Sequence, residues 1–251
     1  MTTLHRRFPG LAIIGEENLA DPYDDTLATQ ADSDEVLQCS CPLELQGVAL
    51  SDVVVWVDPL DGTTEFTRGF LDHVTTLIGI TVQGVPVAGV IHQPFFNMAA
   101  GSDEVGRTTW GMIGVGVFGC TPVSSSGFCV PASPNNIRLT TTLSHSSSKM
   151  ENVIQKLNPE TVIRVGGAGN KVLMVIEGKA DAYVYATSGT KKWDTCAGEA
   201  LLKARGGCMS DSRGSSIPYN PEGELANVHG LVASSCPAVH DMVLSVLKNI
   251  D

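Results

Sequence analysis

Trp56-Val57-Asp58-Pro59-Leu60-Asp61-Gly62-Thr63 is the stretch from which the fold and the chemistry of this chain can be read. Val53 to Val57, which feed it, are almost all β-branched, as expected of a buried strand. Pro59 predicts a stop directly after Asp58, so the carboxylate is expected at the strand exit. Two carboxylates separated by a two-residue turn can converge on a hard cation, because magnesium takes oxygen ligands in near-octahedral geometry. Pro59 stiffens the bend, and Gly62 permits a tight backbone whose amides can face a phosphate. Thr63 adds a hydroxyl able to orient water. An Asp-x-x-Asp pair standing alone is commonly a solvated turn. The strand before it and the Gly-Thr after it are what favour catalysis.

Upstream, Leu11 to Ile14 is a short apolar run ending at Gly15, a strand expected to deliver Glu16 and Glu17 at its exit. Asp21 to Leu50 is polar and irregular, an exposed excursion with a short helix. Downstream, Asp72 to Gln83 and Val85 to His92 predict two strands joined at Gln83-Gly84. Gly111 to Gly119 alternates small and apolar residues and has no Walker lysine, which favours one sheet strand over a phosphate loop. Ile137–Thr142, Val162–Val165, Ala180–Ala186 and Leu231–Ser234 predict further strands. Helices are expected over Ser146–Leu157, Asn170–Glu177, the segment after Asp194 up to Gly206-Gly207, and His240–Leu247. This interleaving predicts an α/β protein, an α+β layered sandwich. The expected division is an N-terminal lobe over 1–135 and a C-terminal lobe over 136–251.

The chain has 251 residues and a formal charge of −11, which excludes a surface built for nucleic-acid polymers and leaves room for a small anionic ligand held locally. Apolar residues make up 43%, as in ordinary globular proteins, so general disorder is excluded. Seven scattered cysteines form no short-spaced framework and predict mostly free thiols in a reducing compartment. Met1 to Gly10 lacks a signal-peptide core, and no run is long enough to cross a membrane. A soluble, cytoplasmic protein with no membrane partner is the expectation.

Three motifs in order, Gly15-Glu16-Glu17, Trp56 through Thr63, and Lys192-Trp193-Asp194-Thr195-Cys196-Ala197, resemble the lithium-sensitive, magnesium-dependent phosphomonoesterases related to inositol monophosphatase. Thr142-Leu143-Ser144-His145-Ser146, Arg164 through Lys171, and Tyr185 through Thr195 are similar to the bisphosphate nucleotidases within that group. The resemblance spans nearly the whole chain from Leu11. It implies an N-terminally shortened inositol monophosphatase-like sugar-phosphatase fold with two or three Mg2+ ions. It assigns Glu16, Asp58, Asp61, Asp194 and the Leu60 carbonyl as metal ligands, with Glu17 as an accessory acid. Thr63 would orient the attacking water, while Gly62 and Thr63 amides contact phosphate. Thr142, His145, Gly167 and Lys171 would surround the nucleotide, Lys171 meeting a second phosphate. Leu143 stands where close relatives are expected to carry a basic residue.

The implied reaction is hydrolysis of the 3'-phosphate of adenosine 3',5'-bisphosphate to AMP and phosphate, with 3'-phosphoadenosine 5'-phosphosulfate as a related substrate. An inositol polyphosphate 1-phosphatase is the enzymatic alternative, and a phosphate- or metal-binding protein with little catalysis is the other. The resemblance also implies a possible homodimer. It places 50 or more helical residues ahead of the Leu11 strand, with an aspartate that helps Thr63. This sequence has Met1 to Gly10 there and no Asp before Asp21, which predicts weaker turnover with metal binding retained.

Overall fold

The computed structural model describes residues 2–17, 33–99, 101, 105–120, 136–143 and 147–250. Two sheets carry the fold. The first has the order β1 (Ala12–Gly15), β2 (Val53–Asp61), β3 (Thr75–Val82), β4 (Val85–Gln93), β5 (Arg107–Met112) and β6 (Gly116–Phe118). β1 runs parallel to β2, and every other neighbouring pair is antiparallel. The second sheet has the order β10 (Cys208–Ser210), β11 (Leu231–Ser234), β9 (Ala182–Tyr185), β7 (Arg138–Thr142) and β8 (Thr161–Val165). β7 lies parallel to both β8 and β9. The expected lobe boundary at 135 lies outside the described residues.

Helices α1 (Thr2–Arg7), α2 (Asp34–Leu37) and α3 (Thr63–Thr67) belong to the first half of the chain, and α4 (Ser148–Leu157), α5 (Ala168–Ile176), α6 (Lys192–Ala204) and α7 (Pro237–Leu247) to the second. α5 and α6 pack between the two sheets, where Trp56, Leu77 and Ile91 of the first meet Tyr183, Leu231 and Ala233 of the second in one apolar core. Full burial of each large side chain there contributes roughly 1.5–3 kcal/mol. α4 and α7 cover the far face of the second sheet through Val153, Leu157, Val239 and Val243. The outer face of the first sheet carries a smaller cluster, Leu11, Val55 and Val57, with Leu4 of α1 against it.

Two glycines set how closely α6 approaches the first sheet. Gly79 of β3 and Gly89 of β4 are cross-strand partners. A Cβ on Gly79 would fall 2.5 Å from Cys196 Sγ, and one on Gly89 would fall 2.4 Å from the Ala197 carbonyl oxygen. Any side chain at either position would lift the helix off the sheet.

The Gln83-Gly84 hairpin forms as expected, with φ of 50° and 76° at its two centre residues as a tight primed turn requires. Two expectations are corrected. Pro59 does not end the strand: β2 continues to Asp61, and the register with β3 shifts between Asp58 and Asp61. A bulge accepts a residue without an N–H at little cost to the ladder. Asp58 and Asp61 are therefore both held on the strand and not in a loop after it. Gly111–Gly119 is a hairpin of β5 and β6, with Met112 paired to Gly116 around a turn at Gly114. Cys39, Cys41, Cys120, Cys196 and Cys208 are free, whereas Cys236 is disulfide-bonded.

Candidate active site

The ends of both sheets open on one cavity of about 270 Å³. In the second sheet β7 connects through α4 to its neighbour β8, and the chain passes from there through α5 to β9 on its other side. The carboxyl end of β7 is thus a topological switch point, where neighbouring connections diverge and leave a crevice. Thr142, the last residue of β7, and the Gly166-Gly167-Ala168 turn after β8 line that crevice. From the opposite side come Glu16 beyond β1, Asp58, Leu60 and Asp61 of β2, Gly62 and Thr63, and Asp194 in the first turn of α6.

Asp61 is the most tightly tied of these acids. Its carboxylate accepts the Thr75 hydroxyl at 2.6 Å and the Ala168 and Gly169 amides at 2.8 Å each. Those amides open α5, so the carboxylate satisfies donors that the helix itself leaves unpaired. Gly167 and Gly169 permit the approach: a Cβ on either would stand 3.2 Å from Asp61 Oδ2, and the one on Gly167 would also strike the His73 carbonyl.

Asp58 and Asp194 are placed differently. Asp58 is 2% exposed and accepts the Leu60 amide at 3.0 Å. Burial first, then Asp61, Asp194 and Glu16, push its carboxyl up to about 9. Asp194 accepts the Lys191 amide at 2.7 Å and hydrogen-bonds Asp58; burial and Asp61 raise it to about 7. Carboxylates crowded in this way repel one another unless cations sit between them. Among the described residues no three His, Cys, Asp or Glu side chains close into a finished ligand cage. The donors facing the cavity are nonetheless oxygens, and the unbalanced charge is negative, so the set fits a hard divalent cation.

Gly62, in the left-handed region at φ 87°, starts α3, and the Thr63 hydroxyl donates to the Leu60 carbonyl at 3.1 Å. Lys171, one turn into α5, is 4% exposed. Its ammonium donates to the Val165 carbonyl at 3.4 Å and lies 5.2 Å from the centre of the Tyr183 ring. Burial lowers it to about 8, against the pull of Asp61, Glu65 and Asp194. Of the expected site residues, Glu17 is exposed and does not line the cavity. His145 lies outside the described residues.

Sequence reasoning missed Glu65 and Tyr183, which line the cavity; Tyr185, Gly189 and Thr190, also in its wall, lie in the 185–195 segment that carried the resemblance but were given no role. Glu65 left a legible signal, because it falls at the third position of the helix that Gly62 opens, where acids favour a helix start. Tyr183 left none beyond β-propensity.

A model of the inositol monophosphatase family matches residues 1–251. The chain belongs to the inositol monophosphatase family. Within the family it is 47% identical over 236 residues to the mouse protein named 3'(2'),5'-bisphosphate nucleotidase 1, covering 93% of this chain and 74% of that one. The human protein of the same name is 46% identical over 235 residues with the same coverage. A solved inositol monophosphatase-II from Staphylococcus aureus shares the family's fold, with a TM-score of 0.69 at 16% identity over 99% of this chain and 78% of that one.

Proposed function

We propose that this chain is a magnesium-dependent phosphatase that hydrolyses the 3'-phosphate of adenosine 3',5'-bisphosphate to AMP and phosphate, and acts likewise on 3'-phosphoadenosine 5'-phosphosulfate. The observation that carries this reading is one cavity where five acids face helix-opening amides and a buried lysine, in a chain nearly half identical to proteins named bisphosphate nucleotidases.

Glu16, Asp58, Asp61, Asp194 and the Leu60 carbonyl would hold two or three magnesium ions. When bound, these supply a nucleophilic water at neutral pH and neutralise charge on the departing oxygen. The protein's own part is alignment, since phosphoryl transfer rests on positioning and electrostatics more than on a covalent side chain. The Thr63 hydroxyl orients the water, giving its own proton to the Leu60 carbonyl. Gly62 and Thr63 amides, at a helix start, face the phosphoryl oxygens. The water oxygen bonds to phosphorus as the bond to the ribose 3'-oxygen breaks, and that oxygen takes up a proton. Lys171 meets the second phosphate, and Thr142 and Gly167 border the nucleoside.

The test is phosphate release from adenosine 3',5'-bisphosphate and, in parallel, from inositol 1,4-bisphosphate, with magnesium and with chelator. Magnesium-dependent release from the nucleotide at a kcat/KM at least about tenfold higher, about 1.4 kcal/mol of discrimination, is expected. The reverse preference would assign the chain to inositol phosphates. Tight nucleotide binding with no release would leave only a binding protein.

A further inference from the structure

Glu65 is a buried acid for which the hydrolytic scheme has no task. Its side chain is 5% exposed on α3 and faces the cavity. It lies so flat against the turn before α5 that a Cβ on Gly166 would fall 2.1 Å from its Cδ. In the same cavity wall stands Lys171, equally buried, whose ammonium donates a hydrogen bond to the Val165 carbonyl. An ammonium taken out of water survives as a cation only where opposite charge compensates its lost hydration.

The charged and titratable groups around Lys171 come from every element that walls it in. They are Asp61 on β2, Glu65 on α3, His73 before β3, Tyr183 on β9 and Asp194 on α6. Tyr183 is held neutral by its burial, and His73 Nδ1 accepts the Gly166 amide at 3.2 Å. Asp61 and Asp194 are committed to the cation site. Glu65 is the acid among them that is not.

We propose that Glu65 is a positioning residue for the second phosphate: its buried negative charge keeps Lys171 an ammonium and so available to an anionic group of the substrate. This rests on the reading that Lys171 meets that phosphate. Lys171, lowered to about 8 with Glu65 present, would fall further without it. A lysine is charged below its midpoint, so the loss is felt at and above that pH and vanishes well below it.

The experiment compares wild type, Glu65→Gln and Glu65→Asp for KM and kcat with adenosine 3',5'-bisphosphate between pH 6 and 9. If the Lys171 midpoint falls by about one unit, the charged fraction at pH 8 falls about fivefold, and KM for Glu65→Gln rises by about the same factor. At pH 6 the two proteins converge, kcat moves less than KM throughout, and Glu65→Asp follows wild type. In a Lys171→Arg background Glu65→Gln loses its effect on the pH dependence, because a guanidinium stays charged. An equal KM rise in that background would make Glu65 merely structural and overturn the proposal.

A second readout needs no turnover. An NMR titration of the Lys171 side chain, assigned by its disappearance in Lys171→Arg, should show a lower midpoint in Glu65→Gln; an unchanged midpoint rejects the proposal. Should Glu65→Gln not fold, a displaced midpoint in Glu65→Asp, which keeps the charge, rejects it equally. Absence of phosphate release by wild type would refute the assigned reaction, while the NMR midpoint would still decide the role of Glu65.

Discussion

Asp58 and Asp61 share one strand and one motif, yet the two ends of that motif meet different halves of the molecule. Asp61 reaches across to the second sheet's connection and is held by a hydroxyl and two amides. Asp58 accepts one amide, that of Leu60, and otherwise faces the like charges of Asp61, Asp194 and Glu16. The bulge at Pro59 brings them together: residues three apart on a regular strand point to opposite faces, and the register shift lets both line one cavity. Identical residue types in a four-residue motif therefore do unlike work: one joins the layers, and the other waits for a counter-charge.

Asp61→Asn breaks this contrast hardest. It should cut turnover by more than about 100-fold, the scale of losing one strong transition-state contact. It should also cost roughly 2–3 kcal/mol of stability, since an amide accepts poorly where three donors converge. Steady-state kinetics and thermal melts measure the two losses. Normal turnover would remove Asp61 from the site, and an unchanged melting temperature would remove it from the joint between layers.

Asp58→Asn separates the two roles. Turnover should fall as for Asp61, while the metal-free protein gains stability. The folded carboxyl is raised to about 9, so between its unfolded value and that pH the folded state binds the extra proton. Metal-free stability should accordingly decline as pH rises from about 5 to 9. The decline should flatten in Asp58→Asn and be offset by magnesium. Chemical denaturation in chelator across that range tests it, and a wild-type curve that rises with pH would contradict it.

Thr75→Val is the mildest probe. It removes one of the three donors to Asp61 and keeps the shape of a fully buried side chain. A loss of about 1 kcal/mol is expected, with turnover reduced far less than in Asp61→Asn. A loss as large as that of Asp61→Asn would show that the hydroxyl, and not the helix amides, holds the carboxylate.

Much of this was legible beforehand, and the reasons differ by element. Strands such as Leu231–Ser234 announce themselves because burial on both faces demands an unbroken apolar run. The resemblance of three motifs pointed to Glu16, Asp58, Asp61 and Asp194, and these four acids line one cavity, whereas Glu17 does not. Pro59 misled because a proline's missing donor forbids a regular ladder but not a bulge. β10, only Cys208–Ser210, is too short to show a period. The place of Glu65 at a helix start was legible but its burial was not, because that comes from the Gly166 turn, far away in the chain.

The glycine pair beneath α6 has a mechanical consequence. Asp194 rides on that helix and Asp58 on the sheet, and under the helix Gly79 meets the Cys196 side chain and Gly89 the Ala197 backbone, with no sheet side chain to compress. Dense interiors yield little to squeezing. The gap between these two acids is thus gauged by incompressible parts, and hydrostatic pressure that drains looser cavities should leave it nearly unaltered.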